Sequence, residues 1–166
     1  EIISSFYIPE RIRINNGTIT KVIDYDRSED LKKQKIPVDI MGAEDKEIAK
    51  EGKRFSSAVL KKLQAAGITE MALPADYLEG KRIFSPVLDP KTGNKIADVN
   101  DELTATLLDN IIGKGVKEFD IIYFENFNFS PYLSNTLKID RVASREDALL
   151  EIYKLMVPSN PVKIEI

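Results

Sequence analysis

The sequence contains neither cysteine nor histidine. Without thiols the chain can form no disulfide and offer no thiolate, so it is indifferent to the redox state of its compartment. Without imidazole it lacks the commonest general base and the commonest zinc ligand. No apolar run approaches the roughly 18 residues that a membrane helix needs, and no secretory leader is visible. A strongly basic field is missing too: the formal net charge is −3, which speaks against a surface built for nucleic acid. What remains is an ordinary globular composition, 43% hydrophobic and 31% charged over 166 residues, enough for one domain with a real core, or one domain and a small appendage. A soluble, cytoplasmic protein without membrane contact is expected. The first residue is Glu rather than Met, so a segment of a longer chain is expected as well.

What is present is an internal repeat. Residues 48–73 (IAKEGKRFSSAVLKKLQAAGITEMAL) and residues 96–121 (IADVNDELTATLLDNIIGKGVKEFDI) align without a gap. Ile48 falls on Ile96, Phe55 on Leu103, Leu63 on Ile111, Gly67 on Gly115, Met71 on Phe119 and Leu73 on Ile121. In each copy a hydroxyl residue, Ser56 or Thr104, stands where its oxygen can accept a free N–H of a first helical turn, which predicts helices beginning near Ser57 and Ala105. Val59, Leu60 and Leu63, and in the second copy Leu107, Leu108 and Ile111, form one apolar stripe per helix. Gly67 and Gly115 follow the last apolar turn, where a left-handed cap favours glycine. Alternating residues come next, as in a strand. Each unit reads strand, helix, strand, and the two are expected to bury their stripes against one shared sheet.

Around the repeat, residues 1–7 read as the last turns of a helix with Ile2, Ile3, Phe6 and Tyr7 on one face, closed by Pro9. Residues 11–22 alternate around Asn15-Asn16-Gly17, a tight hairpin signal; Asn16-Gly17-Thr18 also matches a glycosylation sequon, but Asn-Gly is what the turn itself requires. Residues 24–35 are charged and without an apolar stripe, an exposed connection into a strand carrying Ile36, Val38 and Ile40. Lys32-Lys33-Gln34-Lys35 is the most basic spot, and with Glu29 and Asp30 beside it a solvated loop fits better than a phosphate site. Residues 89–94 form a turn that joins residues 83–88 to residues 95–97 as a hairpin. Phe124, Phe127, Phe129 and Tyr132 crowd together; with no Arg or Lys interleaved, a packed corner explains them better than a base-stacking platform. Residues 135–142 are expected as a strand. Ser144 is expected to cap a helix over residues 145–156 whose apolar face is Leu149, Ile152, Tyr153 and Met156, with Pro158 and Pro161 beyond it.

Catalytic constellations fail on physical grounds. Asp98-Val99-Asn100-Asp101-Glu102 has oxygen ligands at loop spacing, but Leu103 stands where a calcium loop needs a sharp-turn glycine. Gly113-Lys114-Gly115 follows a helix where a phosphate loop precedes one. Carboxylate pairs such as Asp76 and Glu79 arise by chance at this acidic content. No catalytic, cofactor-binding or metal-ligating residue is therefore assigned. The residues alone describe an α+β module for contact with other macromolecules.

Several stretches, in this order, resemble the lobe region of the β subunit of bacterial DNA-directed RNA polymerase. They are residues 2–14 (IISSFYIPERIRI), the repeat pair with residues 75–81 (ADYLEGK) between its copies, residues 89–96 (DPKTGNKI), residues 130–140 (SPYLSNTLKID) and residues 148–156 (ALLEIYKLM). The family shows G-P-Y-I-S-x-T-L-x-x-D followed by A-L-x-E-I-Y-x-x-M in that register. It usually continues M-R-P-G-x-P-P, and here Met156 is followed by Val157-Pro158-Ser159-Asn160-Pro161-Val162. The resemblance implies an α+β fold with duplicated strand-helix-strand units on a stem formed by the two termini. Residues 1–9 and 141–166 would be the lobe-proximal stem, and residues 10–140 an inserted domain containing the repeats, of a kind that varies among bacterial lineages. It implies transcription as the process and a nucleotidyltransferase as the parent, whose Mg²⁺ and nucleotide residues lie outside this segment. The segment itself is expected to be inactive. Implied partners are the β′, α and ω subunits, a sigma factor, downstream DNA through the parent lobe, and regulators docking on the insertion. The stem implies that Leu149, Ile152, Tyr153 and Met156 pack near Ile2, Ile3 and Phe6. The rival expectation is a stand-alone protein-interaction domain.

Overall fold

In a computed structural model, which describes residues 2–15, 17–42, 47–125, 129–142 and 144–158, the Asn-Gly signal is met by a hairpin. Strand β1 (Pro9–Asn15) pairs antiparallel with β2 (Thr18–Val22), and Gly17 between them has φ +82°. Asn16 lies outside the described residues. The hairpin is the centre of a four-stranded antiparallel sheet, with β5 (Glu70–Ala72) on the free side of β2 and β8 (Glu118–Ile122) on the free side of β1. Two short antiparallel ribbons accompany it, β3 (Ile40–Met41) with β4 (Glu47–Ala49) and β6 (Val87–Leu88) with β7 (Lys95–Ala97). The helices are α1 (Ile2–Phe6), α2 (Ser28–Lys33), α3 (Ser57–Ala65), α4 (Ala105–Gly113), α5 (Tyr132–Ile139) and α6 (Arg145–Met156), with 3-10 turns at Tyr25–Arg27 and Ala75–Leu78. The class is α+β. The chain divides into two compact units, Glu1–Pro131 with the sheet and Tyr132–Ile166 with α5 and α6.

Within the first unit the order ribbon, helix, strand occurs twice, and the local causes match. Ser56 Oγ accepts from the Val59 N–H at 3.2 Å and Thr104 Oγ1 from the Leu107 N–H at 3.3 Å, so each helix starts at a side-chain cap. Past each helix the chain turns through a glycine in the left-handed region, Gly67 at φ +68° and Gly115 at φ +76°. The Ile36 N–H donates to the Lys53 carbonyl at 2.8 Å, and the Ile83 N–H to the Asp101 carbonyl at 2.9 Å. Two apolar cores result. One gathers Leu31, Ile36, Ile40, Ala49, Phe55, Leu63 and Met71, and the other Leu78, Ile83, Val87, Ala97, Leu103, Ile111 and Phe119. Burying each large aliphatic side chain contributes about 1.5–3 kcal/mol.

The sheet ends differently on its two sides. Beyond β8 the Ile122 N–H donates to the Arg82 carbonyl at 2.7 Å and the Phe84 N–H to the Asp120 carbonyl at 2.9 Å, so residues 82–84 continue the ladder. The positions that correspond to Ile122 and Phe84 beside β5 are Pro74 and Pro37, which have no N–H to donate. There β5 is the edge.

Four expectations need correction. Residues 24–35 are not an open connection: one buried residue, Leu31, anchors α2, and Glu29–Lys32 and Asp30–Lys33 pairs support its exposed side. The strand expected through Ile36, Val38 and Ile40 shrinks to a bridge at Lys35 and the two residues of β3, because Pro37 interrupts the ladder. Residues 135–142 are not a strand. Leu133 and Leu137 lie one helical turn apart on α5, and Thr136 Oγ1 bonds back to the Tyr132 carbonyl at 3.0 Å. Finally, α6 is capped by Ser144 as expected, its Oγ accepting from the Asp147 N–H at 3.1 Å, but its apolar face is not buried: Leu149 is 56% accessible and Met156 77%. Pro161 lies outside the described residues.

Candidate functional site

Period-two alternation aims every second residue of β1 and β2 into the interior. On β1 these are Glu10, Ile12 and Ile14, and on β2 Ile19 and Lys21, followed by Ile23 just past the strand; all six are buried. Two are charged. The Lys21 ammonium donates to Glu10 Oε1 and, at 2.6 Å, to Gln34 Oε1. The Tyr77 hydroxyl donates to both Glu10 oxygens, at 3.0 and 3.1 Å, while Lys81 Nζ stands 3.9 Å from Glu10 Oε2. Gln34, the residue that ends α2, passes its amide N–H to the Pro9 carbonyl at 3.1 Å. The rings of Phe55 and Tyr123 flank the ammonium at 5.7 and 5.9 Å.

The electrostatics of this cluster follow from its dryness. Burial lowers the Lys21 ammonium from its ordinary value, and the attraction of Glu10 opposes it without reversing the sign. Burial, reinforced by Glu10, raises the Tyr77 phenol, which is held protonated as a donor. Every buried side-chain N or O among the described residues has a partner. A cavity of about 20 Å³ beside Glu10, Lys21 and Gln34 has room for a single water. Tyr77 reaches the cluster from beside one core and Phe55 from the other, so the cluster lies where the two cores meet.

The basic run seen in the sequence is dispersed. Lys32 and Lys33 pair along α2, Gln34 turns inward, and Lys35 reaches Glu125 at 3.1 Å, where Arg54 also binds at 2.8 Å. The aromatic stretch is a packed corner: Phe124 meets Tyr7 edge-on at 5.5 Å and Phe129 meets Tyr123 at 5.7 Å, while Tyr132 is exposed and Phe127 lies outside the described residues. The Asp98–Glu102 stretch closes on itself, with the Asp98 N–H donating to Asp101 Oδ2 at 2.7 Å and Lys95 bound to Asp98 Oδ2 at 2.6 Å. Asp76 and Glu79 share the rim of a groove of about 230 Å³ at the start of α4. Among the described residues no group of three or more carboxylates is placed to hold a metal, and no helix is long and apolar enough to cross a membrane.

The sequence reading missed Glu10, Lys21 and Gln34. For the first two a signal existed: Glu10-x-Ile12-x-Ile14 and Ile19-x-Lys21-x-Ile23 put a charge in phase with the buried isoleucines. No protein-family model matches the chain.

Proposed function

We propose that the chain is a non-catalytic part of the lobe of a bacterial RNA polymerase β subunit, with the first unit serving as a structural and regulator-docking body. On this reading the two ribbon-helix-strand units are a duplication, and the terminal segments are the stem that joins them to the parent. The observation that carries it is α6. Its sequence, ALLEIYKLM, bears the resemblance, and its apolar residues Leu149, Ile152, Leu155 and Met156 all face solvent. A helix with this face is a piece of a larger packed body. Catalysis, Mg²⁺ and nucleotide binding then belong to the parent, and β′, α, ω and sigma are partners of the whole.

Peptide mapping of the RNA polymerase purified from the encoding organism tests the reading. Tryptic peptides from the first unit are expected in the β-subunit band, at the same abundance as peptides from the rest of β. A β band mapped from end to end without them would overturn it.

A further inference from the structure

Lys21, Glu10 and Gln34 form a closed set of nucleophile, base and acyl group. Each is 1% accessible, in the interior where β1, β2 and the end of α2 meet. The Lys21 ammonium donates to Glu10 and, at 2.6 Å, to the side-chain carbonyl of Gln34. That carbonyl is held in place from its other end, since the Gln34 amide N–H donates to the Pro9 carbonyl at 3.1 Å. Lys21 carries the nucleophile, and its dry surroundings, flanked by the Phe55 and Tyr123 rings, favour the neutral amine over the ammonium. Glu10 accepts two hydrogen bonds from Tyr77 and stands against the ammonium, placed to take its proton. A primary amine, a carboxylate and a primary amide thus meet inside one chain, held in contact and shielded from bulk water.

We propose that Lys21 and Gln34 join in an isopeptide bond, a self-made cross-link that ties the end of α2 to the central hairpin. Glu10 first takes one proton from the Lys21 ammonium. The freed electron pair of Nζ then attacks Gln34 Cδ, forming the new C–N bond while the carbonyl π pair moves onto Oε1. Collapse of this intermediate restores the carbonyl and breaks the Cδ–Nε2 bond. Nε2 leaves as ammonium, taking the proton held by Glu10 and a second proton from the attacking nitrogen, so Glu10 ends ionised as it began. The balance needs no co-reactant. The adjoining cavity of about 20 Å³ holds one water-sized molecule, room enough for the departing nitrogen. The bond forms slowly after folding, so freshly folded chain holds the ion pair described above and aged chain holds the amide. The proposal rests on this cluster alone and is independent of the polymerase reading.

The test is tryptic mass spectrometry of the full chain, sampled from purification through prolonged incubation at neutral pH. An amide-linked Lys21 resists trypsin, so a branched peptide joining residues 14–27 to residues 34–35 is expected to accumulate, lighter by one ammonia than its two parts together. Glu10→Gln removes the base and should slow its formation by about a hundredfold or more. Aged wild-type chain from which the two parts are recovered only as separate peptides overturns the proposal, as does a Lys21–Glu10 branch lighter by one water. An unchanged rate in folded Glu10→Gln overturns it too. Should Glu10→Gln fail to fold, Gln34→Asn, which draws the carbonyl back by one methylene, takes its place, and an unchanged rate there overturns the proposal equally.

Discussion

Lys21 stands directly opposite Ile12 across the central hairpin, and both side chains are buried. The two occupy matching places in the sheet. Lys21 lies beside Met71 of β5, and Ile12 lies beside Phe119 of β8. One half of the sheet thus fills this position with an apolar residue and the other with a charge, which draws in Glu10, Gln34 and Tyr77.

The Lys21–Glu10 pair should behave as a coupled unit. Lys21→Met strands a buried carboxylate, and Glu10→Leu strands a buried ammonium; each is expected to cost about 3–5 kcal/mol. The double variant should cost clearly less than the two single costs combined, since no charge is left unpaired. Urea midpoints at constant m-value read this directly. Single costs that simply add would show that the pair is wet and weakly coupled.

Alkaline stability should be set by buried phenols. Burial raises Tyr77, Tyr123 and Tyr25 above their ordinary value of 10.0. A phenol raised by folding contributes stability that is complete below the unfolded value and is lost as pH climbs past it. Lys21 is lowered and works in the opposite sense, but only below its unfolded value of 10.5. Stability is therefore expected to fall with pH above 10.5, and Tyr77→Phe should make that slope shallower. An identical slope in Tyr77→Phe would remove Tyr77 from the account.

The acid limb has a named contributor in Asp89. Its carboxylate lies below the usual range, chiefly because Oδ1 accepts the Lys91 N–H at 2.8 Å. A depressed acid lends stability above its unfolded value and loses it as pH falls. Asp89→Asn should flatten the loss of stability below about pH 4, as followed by thermal melts between pH 2 and pH 6.

The helix caps should be equivalent. Ser56→Ala and Thr104→Ala are each expected to destabilise by about 1 kcal/mol. Hydrogen exchange should report the losses at α3 and α4 respectively. A large loss for one and none for the other would break the parallel between the two halves.

The two bends that precede these helices differ in one informative residue. Gly52 has φ +77°, and Asn100, at the same place in the second half, has φ +71°. Gly52→Ala should cost about 1–2 kcal/mol from left-handed strain, whereas Asn100→Gly should be neutral or stabilising. Chemical denaturation of both variants settles the sign. A neutral Gly52→Ala would mean that the bend relaxes.

The features legible in the sequence were those with local causes. Ser56, Thr104 and Ser144 cap the helices they announce, Gly67 and Gly115 turn the chain where they stand, and Asn15 and Thr18 flank the hairpin turn that holds Gly17. The misses came where tertiary contacts decide. A single leucine, Leu31, suffices to fix α2 once a core exists for it, and no period shows through one residue. Residues 135–139 hold Leu and Thr in an order compatible with either period, and the helix prevailed. The charged interior was written in phase with the isoleucines, yet its partner Gln34 is distant in sequence from Glu10 and has no spacing rule to reveal it.

The unequal margins of the sheet have a consequence for how copies of the molecule could stack. Endless growth of a sheet from copy to copy needs two receptive margins, one to offer a ladder and one to accept it. Here Pro74 removes one donor from the β5 margin but the outward groups of Glu70 and Ala72 remain, while on the other margin residues 82–84 already take the Ile122 N–H and the Asp120 carbonyl of β8. Growth from copy to copy is therefore hindered at the partly covered β8 margin, and concentrated solutions of the folded chain should resist fibre formation.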